Sequence, residues 1–371
     1  MSTKISIIGG GIVGLGIGWY LARAGYETHI FERDVAGRAA SWAAGGMLPP
    51  EIETEPTEKN LYSLSAESLN LWPEFAAQLE SASSAKIHFQ KNGSMMVARD
   101  ADDIERLKFL HKLHQDYGLD PEYLSGYDAR KLEPHLGRNI VAAIHHPNDA
   151  HVDNRACVKA LITAFQKSGG KLHEQASIES VEIENNRITG LVCKSEKIKS
   201  DIIINAAGAW AAEIQGLPEH TIPPVRPVKG QMIALTTTPH TQLIRKLIWS
   251  PDVYLIPQPG RLLIGASVEE MGFNNDLTAG AQMDLLNEAY RILPGIYDLP
   301  ILESWTGFRP TSRDDAPILG PTEIDGLILA TGHHRNGILL APLTAQSIFS
   351  LIHNGQMPAE IQDFTIARFA A

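Results

Sequence analysis

The chain opens on Ile5 to Ile8, an apolar run broken only by Ser6 and closed by Gly9-Gly10-Gly11. Such a run predicts a short strand buried on both faces. The apolar positions then take up helical spacing through Trp19 to Ala22, and Gly25 stops that helix. A second strand is predicted over Thr28 to Phe31, ending in Glu32. Residues 51–58 are acidic and expected to be exposed. From Asn60 to Leu79 the residues Leu61, Leu64, Leu69, Trp72, Phe75 and Leu79 recur at helical spacing. Ile87 to Arg99 reads as a hairpin turning at Asn92-Gly93. A helix over Ala101 to Tyr117, a loop with a short helix over Glu122 to Leu136, and a strand over Ile140 to Ile144 follow.

Arg155 to Lys167 predicts an amphipathic helix, and Lys171 to Val192 a strand and then a hairpin turning at Asn185-Asn186. Asp201 to Gly208 predicts an apolar strand that runs into small residues. It is either a second backbone contact for a bound ligand or a core strand with a tight exit. From Pro218 to Pro259 the pattern changes to short alternating strands among prolines, and Gly260 to Ser267 adds another. That is the pattern of an antiparallel sheet, not of βαβ units. Ala281 to Leu293 predicts one helix, stopped by Pro294-Gly295. Near the C-terminus an apolar strand (Leu327 to Thr331), a turn (Gly332 to Gly337) and a helix (Ile338 to Ile352) repeat the opening order. The expected fold is α/β (α+β overall): a Rossmann-like domain built from both ends of the chain, with a mainly antiparallel domain inserted. The expected division is 1–85, 145–218 and 310–371 for the first domain, and 86–144 and 219–309 for the second.

The first turn carries chemistry. Gly9-x-Gly11-x-x-Gly14 stands between strand and helix. Gly9 allows the tight turn, Gly11 leaves room for a pyrophosphate, and Gly14 lets the helix pack on the strand. The N–H groups of Ile12 and Val13 open the helix, where free donors and a positive dipole end suit phosphate. Glu32, eighteen residues after Gly14, is placed to accept from a ribose 2′-hydroxyl. That placement disfavours a 2′-phosphate, hence NADP. The small residues from Ala39 to Gly46 suit a backbone lying against a ligand, the alternative being a flexible loop.

Composition changes the picture only by exclusion. A chain of 371 residues with 44% hydrophobic residues is long enough for two domains. Its net charge of −11 and its lack of basic runs argue against nucleic acid. No apolar run reaches bilayer length, and glycines interrupt the first apolar stretch, which argues against a signal peptide. Two cysteines, Cys157 and Cys193, make no disulfide framework and fit a reducing cytoplasm. His145, His146 and His151 lack partners at ligand spacing on one helix face, so no metal is expected.

GGGIVGLGIGWYLARAG with Glu32-Arg33, SWAAGGML, NAAGAW, GFRPTSRDDAPILG and GHHRNGILLAP, in that order, resemble the FAD-dependent D-amino-acid oxidase superfamily. Within it, SWAAGGMLPP and GHHRNGILLAP resemble the glycine oxidases of the thiamine pathway. The resemblance covers nearly the whole chain. It implies non-covalent FAD and oxidative deamination of glycine or another small amine or D-amino acid. The amine becomes an imine, water releases the oxo acid and ammonia, and molecular oxygen is reduced to hydrogen peroxide. It further implies a homotetramer.

Carried over residue by residue, Arg309 matches the arginine that pairs with the substrate carboxylate. Tyr254 matches the tyrosine beside that carboxylate, and Arg335 an arginine lining the active site. FAD contacts are implied at Gly9, Gly11, Ile12, Val13, Gly14, Glu32, Arg33, Ala40, Ser41, Gly45, Gly46, Met47 and Gly208, and at Ile178 beside the adenine. The flavin loop is implied at His333, His334, Arg335, Asn336, Gly337, Ile338 and Leu339. The chemistry agrees with these types: a guanidinium holds a carboxylate in a bidentate, permanently charged grip, and the flavin needs mainly a well-placed substrate. A helix N-terminus after Asn336-Gly337 would stabilise negative charge on reduced flavin. No side chain in the motifs is an evident base. His333 and His334 are candidates, against a reading as exposed loop histidines.

A sarcosine oxidase or a D-amino-acid dehydrogenase would share this fold. Covalent flavin through a cysteine in the C-terminal half is excluded, because both cysteines precede residue 194. A flavin-binding protein without turnover, for instance an RNA-modification or assembly partner, is the reading of another class.

Overall fold

The polar residue in the opening run is the informative one. In the computed structural model, which describes residues 3–53 and 59–370, the strand Lys4–Ile8 is central and buried. Parallel neighbours flank it, Glu27–Phe31 on one side and Ile202–Asn205 on the other. Ser6 is tolerated there because its hydroxyl accepts a hydrogen bond from Ser200 Oγ at 2.9 Å. The full sheet has six strands in the order Ile318–Pro321, Leu327–Thr331, Ile202–Asn205, Lys4–Ile8, Glu27–Phe31, Lys171–His173. All pairs are parallel except the edge pair of Ile318–Pro321 with Leu327–Thr331.

The helix Ile12–Arg23 packs between this sheet and the helices Lys59–Ser83, Asn154–Lys167 and Ala341–Asn354. That setting explains why it is apolar around most of its circumference, with Leu15, Ile17, Trp19 and Leu21 fully buried. Leu61, Leu64, Leu69, Trp72, Phe75 and Leu79 of the next helix join the same core, as their spacing predicts. Cys157 lies in it as well, and burial pushes its thiol pKa up.

A second sheet has eight strands in the order Ile301–Thr311, Arg226–Thr236, Arg261–Gly265, Tyr254–Gln258, Leu247–Trp249, Ser94–Ala98, Ala142–His146, Glu122–Ser125. It is antiparallel except where Leu247–Trp249 runs parallel to Ser94–Ala98. The fold is thus α/β with a mixed, mainly antiparallel second sheet. A three-stranded sheet (Ile178–Glu184, Arg187–Cys193, Glu196–Lys199) carries the hairpin predicted at Asn185-Asn186.

Two expectations give way to the structure. The hairpin over 87–99 does not form. Gly93 does turn the chain at φ +80°, but Ser94–Ala98 pairs with Ala142–His146 and Leu247–Trp249, while Gln90 bridges to His151. The acidic stretch is not simply exposed: Ile52 is buried, and the side chains of Glu51 and Glu53 are 12% and 8% accessible. The remainder of that stretch, 54–58, lies outside the described residues. His145 and His146 face carboxylates, Nδ1 lying 2.9 Å from Glu122 and 3.1 Å from Glu51 respectively.

Candidate active site

The C-terminal ends of the parallel strands converge where Gly9 to Gly11, Glu32, Ala206 to Gly208 and Gly332 to Gly337 leave the sheet, and a cavity opens there. Open α/β sheets bind ligands at that edge. Gly9 stands at φ +108°, and a Cβ on it would lie 2.4 Å from the Ala206 carbonyl oxygen. A Cβ on Gly14 would lie 2.1 Å from the Gly9 carbonyl oxygen, so this glycine serves helix-to-turn packing. Gly11 differs from both. Its backbone is extended at φ −76°, and a Cβ would meet only Ser41 Oγ, at 3.3 Å. The hydrogen there leaves open space in the cavity wall.

The helix Ile12–Arg23 starts with no acidic residue in its first turn, and the Ile12 N–H donates to Ser41 Oγ at 2.9 Å. Glu32 accepts from the Gly10 N–H at 2.8 Å and the Asp34 N–H at 3.1 Å. A carboxylate has further lone pairs, so it retains capacity for a ribose hydroxyl. The Arg33 guanidinium lies 3.6 Å over the Trp210 ring, an aromatic wall the sequence did not flag. An open space at a Gly-rich turn, a helix end whose N-cap is a glycine without a side-chain cap, and an acidic acceptor at the second strand fit a dinucleotide such as FAD.

Of the predicted cofactor residues, Gly9, Gly11, Ile12, Val13, Glu32, Arg33, Ala40, Ser41, Ile178, Gly208, His333, His334, Arg335, Gly337 and Ile338 line this cavity. Gly45, Gly46 and Met47 line a second, adjoining one, which shares Ala40, Ala44, His334, Arg335 and Ile338 with the first. Gly14, Asn336 and Leu339 reach neither wall. Asn336 accepts from the Leu340 N–H through its carbonyl, and the Leu339 carbonyl accepts from Ser68 Oγ and Trp72 Nε1 at 2.7 and 2.9 Å. Neither cysteine lines either cavity.

The glycine of the flavin loop also needs a different account. Gly337 is right-handed (φ −60°), and the tight conformations fall on Gly332 (φ +71°) and His334 (φ +46°). The helix proper begins at Ala341, with Pro342 in its first turn, and turns at 337–340 precede it. What Gly337 contributes is a wall without a side chain.

The second cavity holds the predicted substrate residues. Arg309 lies on Ile301–Thr311, where its Nη1 donates to the Ser267 carbonyl at 3.1 Å and the Lys229 carbonyl at 3.3 Å. Gly230 lies directly under it: a Cβ there would come within 2.6 Å of Nη1 and 2.8 Å of Nη2. Gly265 gives the same relief to Tyr254, whose ring a Cβ would meet at 2.6 Å. Tyr254 lines the same cavity as Arg309; burial raises its pKa, and the charge of the Arg309 guanidinium opposes part of that rise. It is a neutral phenol at working pH. Behind the arginine, Glu269 accepts from Lys229 Nζ (3.2 Å), Gln231 Nε2 (2.9 Å) and Ser267 Oγ, and Lys229 is 1% exposed. This network fixes the two backbone carbonyls that orient Nη1.

Arg335 lines both cavities, and its Nε is 3.0 Å from Glu53 Oε2. The two histidines are not exposed loop residues. His333 is buried with Nε2 3.2 Å from Thr344 Oγ1, and its pKa is pushed down to about 4 by burial. His334 Nδ1 lies 2.8 Å from Thr311 Oγ1. Burial first, and then the charges of Arg335, Arg309 and Arg226, push its pKa down to about 3. Both are neutral near pH 7 and too weak to deprotonate an ammonium group.

The profile of the family described as FAD dependent oxidoreductase (DAO) matches residues 4–351. The bifunctional protein ThiO/ThiG of Trichormus variabilis is 32% identical over 374 residues, spanning 100% of this chain and 55% of that protein. The chain therefore spans about half the length of relatives of that kind. A glycine oxidase of Geobacillus kaustophilus is 30% identical, with 98% of this chain and 96% of that protein covered. Among solved structures, glycine oxidase from Bacillus cereus superposes with a TM-score of 0.90 at 30% identity, each chain covered in full.

Proposed function

The chain belongs to the FAD-dependent oxidoreductase family DAO, and from that premise we propose that it oxidatively deaminates glycine and other small amino acids. Glycine would give the imine and then glyoxylate, with ammonia and hydrogen peroxide as the other products. The observation that carries this reading is the Arg309–Tyr254 pair in a cavity that shares its inner wall, His334, Arg335 and Ile338, with the dinucleotide cleft. Names of similar proteins point the same way. In the proposed pathway the product feeds thiazole formation for thiamine, with the protein acting as a cytoplasmic homotetramer. Among the described residues no helix is long and apolar enough to cross a membrane. The domain division proposed is 1–85, 145–218 and 310–371 around the cofactor, with 86–144 and 219–309 around the substrate.

Bound FAD would supply a two-electron acceptor for the substrate Cα–H. The protein's own part is positioning. Arg309 grips the carboxylate, Tyr254 donates its phenolic proton to it, and the apolar side chains Met232, Ile52 and Trp249 limit water. The substrate amine is taken up neutral, since His334, the histidine that lines this cavity, is too weak a base to accept its proton. That assignment fixes a pH dependence. The lowered pKa values of His333 and His334 keep both imidazoles neutral from pH 5 upward. A kcat/KM profile between pH 5.5 and about 9 is therefore expected to climb steadily toward the pKa of the free substrate amine. A histidine step near the ordinary value of about 6.5 would contradict it.

Gly230→Ala is expected to fold normally, because the atoms nearest its new methyl are the end of a flexible side chain, the Arg309 guanidinium. It displaces the guanidinium, and overpacking of about 1–3 kcal/mol predicts a rise of about 5- to 150-fold in Kd for a small carboxylate such as acetate. Titration of the FAD-loaded variant measures it.

The reading itself is tested by peroxide release with glycine, sarcosine and D-alanine over concentration series. Highest kcat/KM for glycine supports it, and a strong preference for bulkier D-amino acids or for sarcosine moves the chain to those oxidases. Flavin that bleaches with substrate without peroxide indicates a dehydrogenase. No turnover with any small amine, FAD being bound, indicates a non-catalytic flavin protein.

A further inference from the structure

Three residues on one face of one strand reach from the substrate cavity to the turn that borders the cofactor cleft. Side chains alternate along Tyr254–Gln258, so Tyr254, Ile256 and Gln258 share a face. Tyr254 lines the second cavity. Ile256 packs on Gly45, where a Cβ would come within 2.2 Å of its Cδ1. Gln258 is 6% exposed, and its Nε2 donates to the Val152 carbonyl at 2.8 Å and to the Gly45 carbonyl at 3.3 Å. Both partners are acceptors, so the amide can present only its nitrogen to them.

What this amide holds is the turn of Gly45 and Gly46. Gly46 is buried at φ +77°, and a Cβ on it would lie 2.0 Å from the Val152 carbonyl oxygen that Gln258 fixes. The Gly46 carbonyl accepts from the Val152 N–H at 2.8 Å. In a planar trans peptide the N–H points away from the C=O of the preceding residue. With the Gly45 carbonyl drawn toward Gln258, the Gly46 N–H is aimed to the opposite side. It has no acceptor among the described residues, although a buried backbone donor calls for one. Gly46 lines the second cavity, two residues after Ala44, which lines both.

We propose that Gln258 is a positioning residue for the flavin: by holding the Gly45 carbonyl it turns the Gly46 N–H onto a carbonyl oxygen of the bound ring and makes that ring a stronger electron acceptor. This rests on the reading of the two adjoining cavities as cofactor cleft and substrate site. A ring carbonyl oxygen gains negative charge when the ring takes up two electrons, so a fixed donor stabilises the reduced form more than the oxidised one. The strand that offers Tyr254 to the substrate thus also sets how strongly the flavin draws electrons.

The test is the midpoint potential of the FAD-loaded protein, measured against reference dyes, in the unsubstituted chain and in Gln258→Met and Gln258→Leu. Both variants fill the site and lack the donor, and they differ from each other in shape, so a shift common to both belongs to the donor. Loss of a hydrogen bond to a charged acceptor predicts about a tenfold fall in the preference for reduced over oxidised flavin. For two electrons that is a potential about 30 mV more negative. Hydrogen exchange gives a second reading: FAD is expected to protect the Gly46 amide in the unsubstituted protein and to lose that effect in the variants. An unshifted or more positive potential, a shift in one variant alone, or a Gly46 amide that FAD leaves unprotected overturns the proposal. So do variants that no longer fold or no longer retain FAD, since that marks Gln258 as a brace of the fold. If no amine is oxidised, the proposed function fails while the potentials still decide on Gln258.

Discussion

Arg309→Ala is expected to retain FAD and to lose about 2–5 kcal/mol of transition-state stabilisation for glycine, about 30- to 5,000-fold in kcat/KM. The size follows from what is left behind. The substrate carboxylate would be desolvated against Tyr254 and the apolar wall with no cation to replace water. The Arg335 charge does not substitute, because it faces Glu53. Arg309→Lys is expected to recover little of the loss, since a point charge cannot hold the two carbonyl acceptors on Nη1 and the carboxylate together. Steady-state peroxide assays with the flavin content checked by absorbance give the result. Near-normal turnover by the alanine variant would remove the anchor assignment.

Gly11→Ala is expected to give a stable protein that binds FAD poorly. Its backbone is extended, and the added methyl meets only Ser41 Oγ at 3.3 Å, so folding is little affected. The methyl instead stands in the space at the helix start where a pyrophosphate would lie. Overpacking of about 1–3 kcal/mol predicts about 5- to 150-fold weaker FAD binding. Gly9→Ala and Gly14→Ala behave differently. Their methyls meet backbone oxygens at 2.4 and 2.1 Å, so these variants lose folding stability together with the cofactor. Thermal melts of the apoproteins beside fluorescence titrations with FAD separate the two classes. A Gly11 variant that melts early, or that binds FAD as tightly as the parent, would show that the glycine serves the fold alone.

Much of this was readable in the chain because the signals were local. The strand–glycine–helix unit at 4–25 and its counterpart at 327–354 carry their own period and punctuation, and they meet in one sheet. The change of texture after Pro218 announced the second sheet. What escaped depended on distant partners. Asn92-Gly93 is a good hairpin signal, yet the strand after it pairs with segments about fifty and 150 residues away. Glu53 reads as solvent-facing charge until Arg335, 282 residues on, is brought against it. Glu269, Lys229 and Gln231 look like ordinary polar residues of alternating strands, and only the folded sheet shows them bracing Arg309. A usable signal was present at Gly230 and Gly265, because glycine inside a strand marks close approach.

In the proposed reaction this cavity holds a small amino acid by its carboxylate beside bound flavin, and the amino acid is oxidised there. Its most direct test is anaerobic addition of glycine to the FAD-loaded protein, followed by air. Bleaching of the flavin with one glyoxylate formed per FAD is expected, and then recovery of colour with one hydrogen peroxide per FAD. A flavin that stays oxidised with glycine, sarcosine and D-alanine alike would contradict it.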